Sequence, residues 1–176
     1  MKEIRIHGRG GMGAVKAAEA LVYAAIMDGN SIPFFGFERQ GAPVTAFIRI
    51  SEQPIRPKNR VYEPHMVIVL DPTIMNAVDV FEGLQKNGSL ILNTSQAMEH
   101  LTLPETVKTL ACVDATKIAQ EVIGRPITNT VMLGAFCKAT GLVSVEAVAQ
   151  RVEQLWGTKN KEALYRGYDA AVVAER

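Results

Sequence analysis

A glycine-rich turn near the start of the chain limits the possible folds more than any other feature. Residues 2–7 alternate in character, with Ile4 and Ile6 on one side, as in a half-buried strand. Four glycines lie within positions 8–13, and the alanine-rich residues 14–22 that follow favour a helix. The spacing G-x-G-x-x-G between a strand and a helix lets a ligand's phosphate approach the backbone closely.

Two interpretations of this turn remain open from the spacing alone. The first N–H groups of the helix have no intrahelical partner and carry partial positive charge, so they favour an anion. Arg9 adds a planar guanidinium that suits phosphate oxygens. In the alternative interpretation, the glycines only make a tight connection between strand and helix.

Two specific nucleotide-binding functions are disfavoured. A P-loop needs Lys and then Ser or Thr after its last glycine, but Gly13 is followed by Ala14 and Val15. A dinucleotide-binding fold needs an acidic residue at the end of its second strand, about 20 residues further on, to hold the ribose. Asp28 falls at the end of the predicted first helix instead, and Glu38 lies in a segment rich in proline and glycine.

Composition narrows the class of protein. A chain of 176 residues with 48% hydrophobic residues is typical of one globular domain. The 19 basic and 18 acidic residues give a net charge of +1, which argues against nucleic acid as a partner. The sequence has no signal-peptide pattern and no apolar segment of the roughly 20 residues that a membrane span needs. We therefore expect a cytoplasmic protein without a membrane partner.

The cysteines and histidines do not form a recognisable metal-binding pattern. Cys112 and Cys137 are far apart and lie in apolar segments, where both are expected to be buried. Structural zinc and iron–sulfur clusters usually need four ligands, and His7, His65 and His100 are isolated. No metal site is predicted, and a disulfide is not expected in a reducing compartment.

Strand and helix patterns alternate along the chain. Strands are predicted at 31–35, 44–50, 66–70, 89–93 and 109–113, and helices at 12–27, 75–84, 116–123, 130–140, after Ser144, and from Thr158 to Val172. Thr128 or Asn129 is expected to cap the helix at 130–140. This order predicts a single α/β domain, Rossmann-like and doubly wound, with a mainly parallel sheet flanked by helices.

The segment 33–43 is unusual because it combines three phenylalanines with charged and flexible residues. Phe34, Phe35 and Phe37 lie within four positions, which is more aromatic surface than a core usually takes from one loop. The segment is interpreted as a contact surface or ligand wall, although burial of one or two rings is the simpler alternative. Arg39 is either a solvated charge or a second phosphate partner.

Catalytic motifs are missing. The sequence has no G-x-S-x-G, no H-E-x-x-H and no zinc-ligand spacing. Asp71 follows a buried strand, where sites form in α/β folds, but a residue before proline is often a turn former. The chain is therefore expected to bind an anionic ligand and a partner rather than to react alone.

Two long motifs resemble a known family. Residues 7–15, HGRGGMGAV, resemble the G-R-G-G-Q-G opening of the gamma subunit of 2-oxoacid:ferredoxin oxidoreductases. Residues 35–46, FGFERQGAPVTA, resemble that family's F-G-x-E-R-R-G-A-P-V-x-A, and residues 49–51, 54–55 and 129–135 continue the likeness. Met12 stands where glutamine is common and Gln40 where a second arginine often lies, which weakens a phosphate clamp in this loop.

The resemblance implies a role in a complex that converts a 2-oxoacid and coenzyme A to acyl-CoA and CO2, with electrons passed to ferredoxin. It places thiamine diphosphate and iron–sulfur clusters in partner subunits of alpha, beta and delta type, and the gamma subunit on the coenzyme A side. Carried onto this sequence, the candidates for the coenzyme A phosphates are Gly8, Arg9, Gly10, Gly11 and Gly13. The candidates for the partner contact or the mouth of the site are Phe35, Phe37, Glu38 and Arg39.

The identity of the 2-oxoacid stays open. Pyruvate is the best match, and 2-ketoisovalerate and indolepyruvate are alternatives because the resemblance places the substrate pocket in another subunit. Two other functions also remain: a stand-alone nucleotide-binding protein, and a structural subunit whose glycine turn touches no ligand.

Overall fold

A computed structural model describes residues 1–27, 43–57 and 59–176. The strands in these ranges are β1 (Lys2–Arg9), β2 (Pro43–Ile50), β3 (Met66–Val69), β4 (Gly88–Asn93), β5 (Val107–Val113) and β6 (Val172–Glu175). The α-helices are α1 (Ala14–Met27), α2 (Ala115–Val122), α3 (Asn129–Thr140), α4 (Val145–Trp156) and α5 (Thr158–Ala170), and two short 3₁₀ helices lie at Pro72–Asn76 and Met98–His100. None of the helices in these ranges has the length and apolar character that a membrane span requires.

The strands form one mixed sheet with the order β2-β1-β3-β4-β5-β6. The four central strands, β1, β3, β4 and β5, are parallel, whereas β2 and β6 pair antiparallel at the two edges. The predicted α/β class with a mainly parallel sheet is therefore confirmed. Parallel strands place their carboxyl ends at one edge of the sheet, where ligand sites of α/β proteins form.

Side chains alternate between two cores, one on each face of the sheet. Ile4 and Ile6 of β1 point to a core to which all five α-helices contribute. Val67 and Val69 of β3 point to the opposite core, which is covered by the 3₁₀ helices and the turns around them. Burial on both faces explains the continuous apolar pattern of the central strands.

The predicted helix at 75–84 is wrong in type. A 3₁₀ helix covers Pro72–Asn76 and is followed by turns. Asp71 caps its start by accepting a hydrogen bond from the Thr73 N–H. Gly83 has a φ of +69° and lies so close to the Tyr62 carbonyl oxygen that a Cβ would overlap it, so a regular helix cannot pass through this position.

The end of the chain also differs from the prediction. The last helix ends at Ala170, and Val172 begins β6, which pairs antiparallel with β5. This strand has four residues, and Val172 and Val173 are exposed, so it lacks the alternation that identifies a half-buried strand. The strand predicted at 31–35 lies outside the described residues.

The predicted helix boundaries near the C-terminal half are largely confirmed. Gly141 ends α3 in the left-handed region with a φ of +57°, and the Ser144 hydroxyl oxygen accepts from the Ala147 N–H at the start of α4. Thr128 precedes α3 as predicted, although its side chain makes no capping hydrogen bond.

Helices α3 and α5 cross at very short range because each presents a glycine. A Cβ on Gly134 would overlap the Leu164 carbonyl oxygen, and a Cβ on Gly167 would overlap the Val131 carbonyl oxygen. The two backbones therefore touch directly.

Candidate functional site

The glycine turn lies at the carboxyl edge of the sheet, between β1 and α1. The Leu70 N–H donates to the His7 carbonyl oxygen at 2.8 Å, which holds the end of β3 beside the turn. Gly11 and Gly13 have φ values of +87° and +81°, a region that side chains with a Cβ rarely adopt. The Ala17 N–H then donates to the Gly13 carbonyl oxygen at 2.8 Å, so the helix begins directly after the turn.

The N-terminus of α3 meets this turn. Asn129 is 5% exposed, and its side-chain amide nitrogen would lie 2.5 Å from a Cβ placed on Gly13. The Thr128 hydroxyl donates to the Leu70 carbonyl oxygen at 3.2 Å, which fixes the start of α3 against β3. Two helix N-termini therefore converge at Gly13, and the partial positive charge of both favours an anion there.

A cavity of about 550 Å³ opens beside this point, and we call it the Gly13 cavity. The residues that line it come from three separate parts of the chain: Gly13, Lys16, Ile123, Arg125, Ile127, Asn129, Trp156 and Asn160. Lys16 and Arg125 are both exposed and give the lining a formal charge of +2, since none of these residues is acidic. Trp156 and the two isoleucines add apolar surface, so the cavity suits a ligand with both an anionic and a flat apolar part.

The two cations of the Gly13 cavity are available to a ligand. Lys16 makes an i,i+3 ion pair with Glu19 at 3.6 Å, but both side chains are well exposed, so this pair contributes little. The Arg125 side chain has no hydrogen-bond or ion-pair partner in the described part of the chain. Neither cation is therefore committed to a strong internal contact.

Arg9 has a different position from the one that the sequence suggested. Its Nε donates to Asp71 Oδ2 at 2.8 Å and its Nη2 donates to Thr73 Oγ1 at 3.0 Å. Arg9 does not line the Gly13 cavity. Its role as a phosphate ligand stays a prediction, and any such contact would compete with the Asp71 ion pair.

The other predicted site residues divide into two groups. Of the five candidates for the coenzyme A phosphates, Gly13 lines the Gly13 cavity, and a Cβ on Gly8 would instead contact the Leu70 side chain at 3.3 Å. The candidates for the partner contact lie outside the described residues: Phe35, Phe37, Glu38 and Arg39.

The contacts of Asp71 give its carboxylate a structural role. Burial raises the pKa of its carboxyl group, but hydrogen bonds from Thr73 and Arg9 act against this and leave the pKa below its ordinary value. The carboxylate caps the 3₁₀ helix and binds Arg9, so it connects the ends of β1 and β3. This arrangement supports the turn-former interpretation of Asp71.

The matching sequence profile decides the family. The profile described as pyruvate ferredoxin/flavodoxin oxidoreductase matches residues 3–170. The chain belongs to this family. The gamma-subunit resemblance of its motifs is thereby confirmed, and it extends over almost the whole chain.

Individual relatives support the same assignment. The pyruvate/ketoisovalerate oxidoreductases common subunit gamma of Pyrococcus furiosus is 48% identical over 184 residues, which cover 99% of this chain and 100% of that protein. The crystal structure of pyruvate oxidoreductase subunit PORC from Thermotoga maritima has a TM-score of 0.80 at 37% identity, covering 99% of this chain and 98% of that one. A second structure is a 2-oxoglutarate:ferredoxin oxidoreductase from Magnetococcus marinus with 2-oxoglutarate, coenzyme A and succinyl-CoA bound. It has a TM-score of 0.75 at 16% identity and covers 96% of this chain and 30% of that one. At this identity the likeness shows the fold alone.

In this pyruvate ferredoxin/flavodoxin oxidoreductase family member, the sequence reasoning missed three residues of the Gly13 cavity. Lys16 lies more than a hundred positions before Arg125 and Trp156 in the sequence, so no local pattern connects the three residues. Arg125 lies in the Gly-Arg-Pro sequence between α2 and α3. A charged residue shortly before a helix N-terminus was the one sequence feature that could have indicated this cavity. Within the described part of the chain, no group of three or more His, Cys, Asp or Glu side chains could hold a metal ion.

Proposed function

We propose that this chain is the gamma subunit of a multi-subunit 2-oxoacid:ferredoxin oxidoreductase. The complex converts a 2-oxoacid, coenzyme A and oxidised ferredoxin to acyl-CoA, CO2 and reduced ferredoxin. Thiamine diphosphate and the iron–sulfur clusters are held by partner subunits of alpha, beta and delta type, which also contact ferredoxin. Family membership over residues 3–170 and the full-length match to a gamma subunit support this assignment.

The part played by this chain is to bind coenzyme A at the Gly13 cavity. The observation that carries this proposal is the convergence of two helix N-termini on a cavity lined by two exposed cations and no acid. Coenzyme A is a polyanion with a flat adenine ring, and the cavity offers donors and positive charge beside the surface of Trp156. The pantetheine arm remains free to carry the thiol to the reaction centre in a partner subunit.

We propose pyruvate as the 2-oxoacid, with 2-ketoisovalerate as the alternative. The Thermotoga maritima relative is named for pyruvate, and the Pyrococcus furiosus relative is named for both pyruvate and ketoisovalerate. Because the resemblance to the family implies a substrate pocket in a partner subunit, we expect that this chain does not choose between them.

Kinetics of the assembled complex test the coenzyme A assignment. Removing one charge-assisted contact costs about 1.5–3 kcal/mol, so Lys16→Ala and Arg125→Ala should each raise the KM for coenzyme A by roughly tenfold or more. The KM for the 2-oxoacid and the affinity for ferredoxin should not change. Lys86→Ala is the matched control, since Lys86 is an exposed lysine in the turn before β4 and remote from this cavity.

Two results would contradict the proposal. If both cavity variants keep the coenzyme A dependence of the unmodified complex, coenzyme A does not bind at this cavity. If the Lys86→Ala control shifts as much as the cavity variants, the effect comes from net charge and not from a specific contact.

A further inference from the structure

A second cavity lies on the face of the sheet opposite the α-helices, and we call it the Arg5 cavity. Its volume is about 610 Å³. Strands β1 and β2 form one side of it, and the segments 60–63 and 78–83 form the other. Neither the family assignment nor the proposed coenzyme A site uses this cavity.

Arg5 and His7 line this cavity and are almost completely buried, with exposures of 6% and 5%. They alternate with Ile4 and Ile6 along β1, so they point away from the core beneath the α-helices. The Arg5 Nε donates to His7 Nε2 at 3.0 Å, and its Nη2 donates to the Val80 carbonyl oxygen at 2.8 Å. No described carboxylate forms an ion pair with Arg5.

The hydrogen bond from Arg5 determines the form of the His7 ring. Because Nε2 accepts, the proton of the neutral imidazole lies on Nδ1, which is then a donor. Burial, and then the Arg5 charge, lower the pKa of His7 to about 4, so the ring is neutral at physiological pH. His7 Nδ1 is buried and has no hydrogen-bond partner among the described residues. No described carboxylate contacts the Arg5 guanidinium directly, and Glu82 and Asp79 stabilise its charge only from a longer distance. The unpartnered His7 donor beside this guanidinium therefore suits an acceptor that carries negative charge.

The outer part of the Arg5 cavity limits what that acceptor can be. Arg60 lies over the Phe47 ring at 5.6 Å, and Phe47, Tyr62 and Val78 supply apolar surface. The charged residues of the lining are two arginines and three acids, Arg5, Arg60, Glu63, Asp79 and Glu82, with a formal charge of −1. Exposed acids at the entrance oppose a multiply charged anion such as phosphate, whereas a single carboxylate can accept from the His7 Nδ1–H next to the Arg5 charge.

The cavity is held open by its surroundings. Arg49 is 3% exposed and forms an ion pair with Glu3 at 2.7 Å. Its guanidinium also donates to the Asn59 carbonyl oxygen at 2.8 Å and to the Arg60 carbonyl oxygen at 3.2 Å. These bonds hold the segment that carries Arg60 and Val61 against β2.

We propose that the Arg5 cavity binds a small organic monocarboxylate, whose oxygens accept hydrogen bonds from Arg5 and His7 and whose apolar part lies against Phe47 and Val78. The buried, unpartnered His7 Nδ1–H beside the Arg5 guanidinium carries the inference, and the acids at the entrance limit the ligand to a single negative charge. The site is independent of the Gly13 cavity, which lies among the helices on the other face.

Calorimetric titration of the full-length chain with isovalerate tests this proposal. Isovaleramide is the matched probe, since it has the same shape without the negative charge. We expect isovalerate to bind on the order of tenfold or more tightly than isovaleramide, because bonds between charged groups are lost with the amide. Inorganic phosphate should bind less tightly than isovalerate, and coenzyme A should not displace it. In nitrogen-edited NMR spectra, isovalerate should shift the signal of the His7 Nδ1–H.

Variants locate the binding to the cavity. Arg5→Met should abolish isovalerate binding, while Arg166→Met, which breaks an exposed ion pair with Glu121, should leave it unchanged. The comparison of isovalerate with isovaleramide on the unmodified chain does not depend on whether Arg5→Met folds.

Several results would overturn the proposal. They are no binding of isovalerate at millimolar concentration, equal binding of the amide, or tighter binding of phosphate. Binding to the free chain but not to the assembled complex would also overturn it, because a partner subunit would then fill the cavity. None of these outcomes bears on the Gly13 cavity, since the coenzyme A kinetics are measured separately.

Discussion

Acid should destabilise this chain in a defined pH window because His7 is buried in its neutral form. Burial and the neighbouring Arg5 lower the pKa of His7 to about 4 in the folded chain, against an ordinary value of 6.5. Below pH 6.5 the unfolded chain therefore binds a proton that the folded chain does not. The free energy of unfolding falls as the pH drops from 6.5 towards 4, and the His7 contribution levels off below that.

The size of the effect follows from the two pKa values. A difference of roughly 2.5 pKa units at 1.36 kcal/mol per unit gives about 3 kcal/mol. This is a large fraction of the stability of a typical domain. The His7 side chain is only 5% exposed, so solvent screening reduces this free-energy difference little.

Urea unfolding of the full-length chain at several pH values between 4 and 7.5 measures this contribution. His7→Gln is the informative variant, because its side-chain oxygen can still accept from Arg5 but does not titrate. The unfolding free energy of the unmodified chain should fall about 3 kcal/mol further than that of His7→Gln over this window. Burial also lowers the pKa of His65, so His65→Gln is measured alongside as a control for the second histidine. The buffers should contain no carboxylate, since that would occupy the Arg5 cavity. Parallel pH curves for the unmodified chain and His7→Gln would refute the reasoning.

Three further predictions follow from described contacts. Gly134→Ala should lower the free energy of unfolding by at least about 2 kcal/mol, because its Cβ would overlap the Leu164 backbone. Gly141→Ala should lower it by only about 1 kcal/mol, because the cost comes only from the left-handed φ. Denaturant unfolding that ranks the two variants in the opposite order would contradict this. Arg9→Ala should raise the KM for coenzyme A less than Arg125→Ala does, since Arg9 is paired with Asp71 outside the Gly13 cavity, and an equal or larger rise would return Arg9 to the ligand set. Burial raises the pKa of the Cys112 thiol to about 11, so a thiol-specific reagent at pH 8 should label it far more slowly in the folded chain than in urea, and equal rates would show that this part of the core is open.

Much of the fold was predictable because local patterns encode it. The alternation of β1 and the apolar runs of β3, β4 and β5 follow directly from burial of one or both faces of a sheet. Gly141 and Ser144 marked helix ends through their backbone and capping preferences. The antiparallel strand β6 was missed because edge pairing places exposed valines where no alternation is needed.

The site was less predictable because its residues meet only through tertiary packing. The sequence showed Arg9 beside the glycines, but it did not show that Asp71, 62 positions later, binds the Arg9 guanidinium. Conversely, Arg125 and Trp156 reach the Gly13 cavity because α3 and α4 pack against α1. The sequence motifs identified the family correctly, whereas the positions of the cationic side chains needed the structure.

An experimental structure of the assembled complex with coenzyme A would show whether coenzyme A binds to this chain at the Gly13 cavity. We expect density for the phosphates at the N-termini of α1 and α3, within hydrogen-bond distance of Lys16 or Arg125. Density for the whole of coenzyme A at a site formed by other subunits, with this cavity closed by a partner side chain, would contradict it.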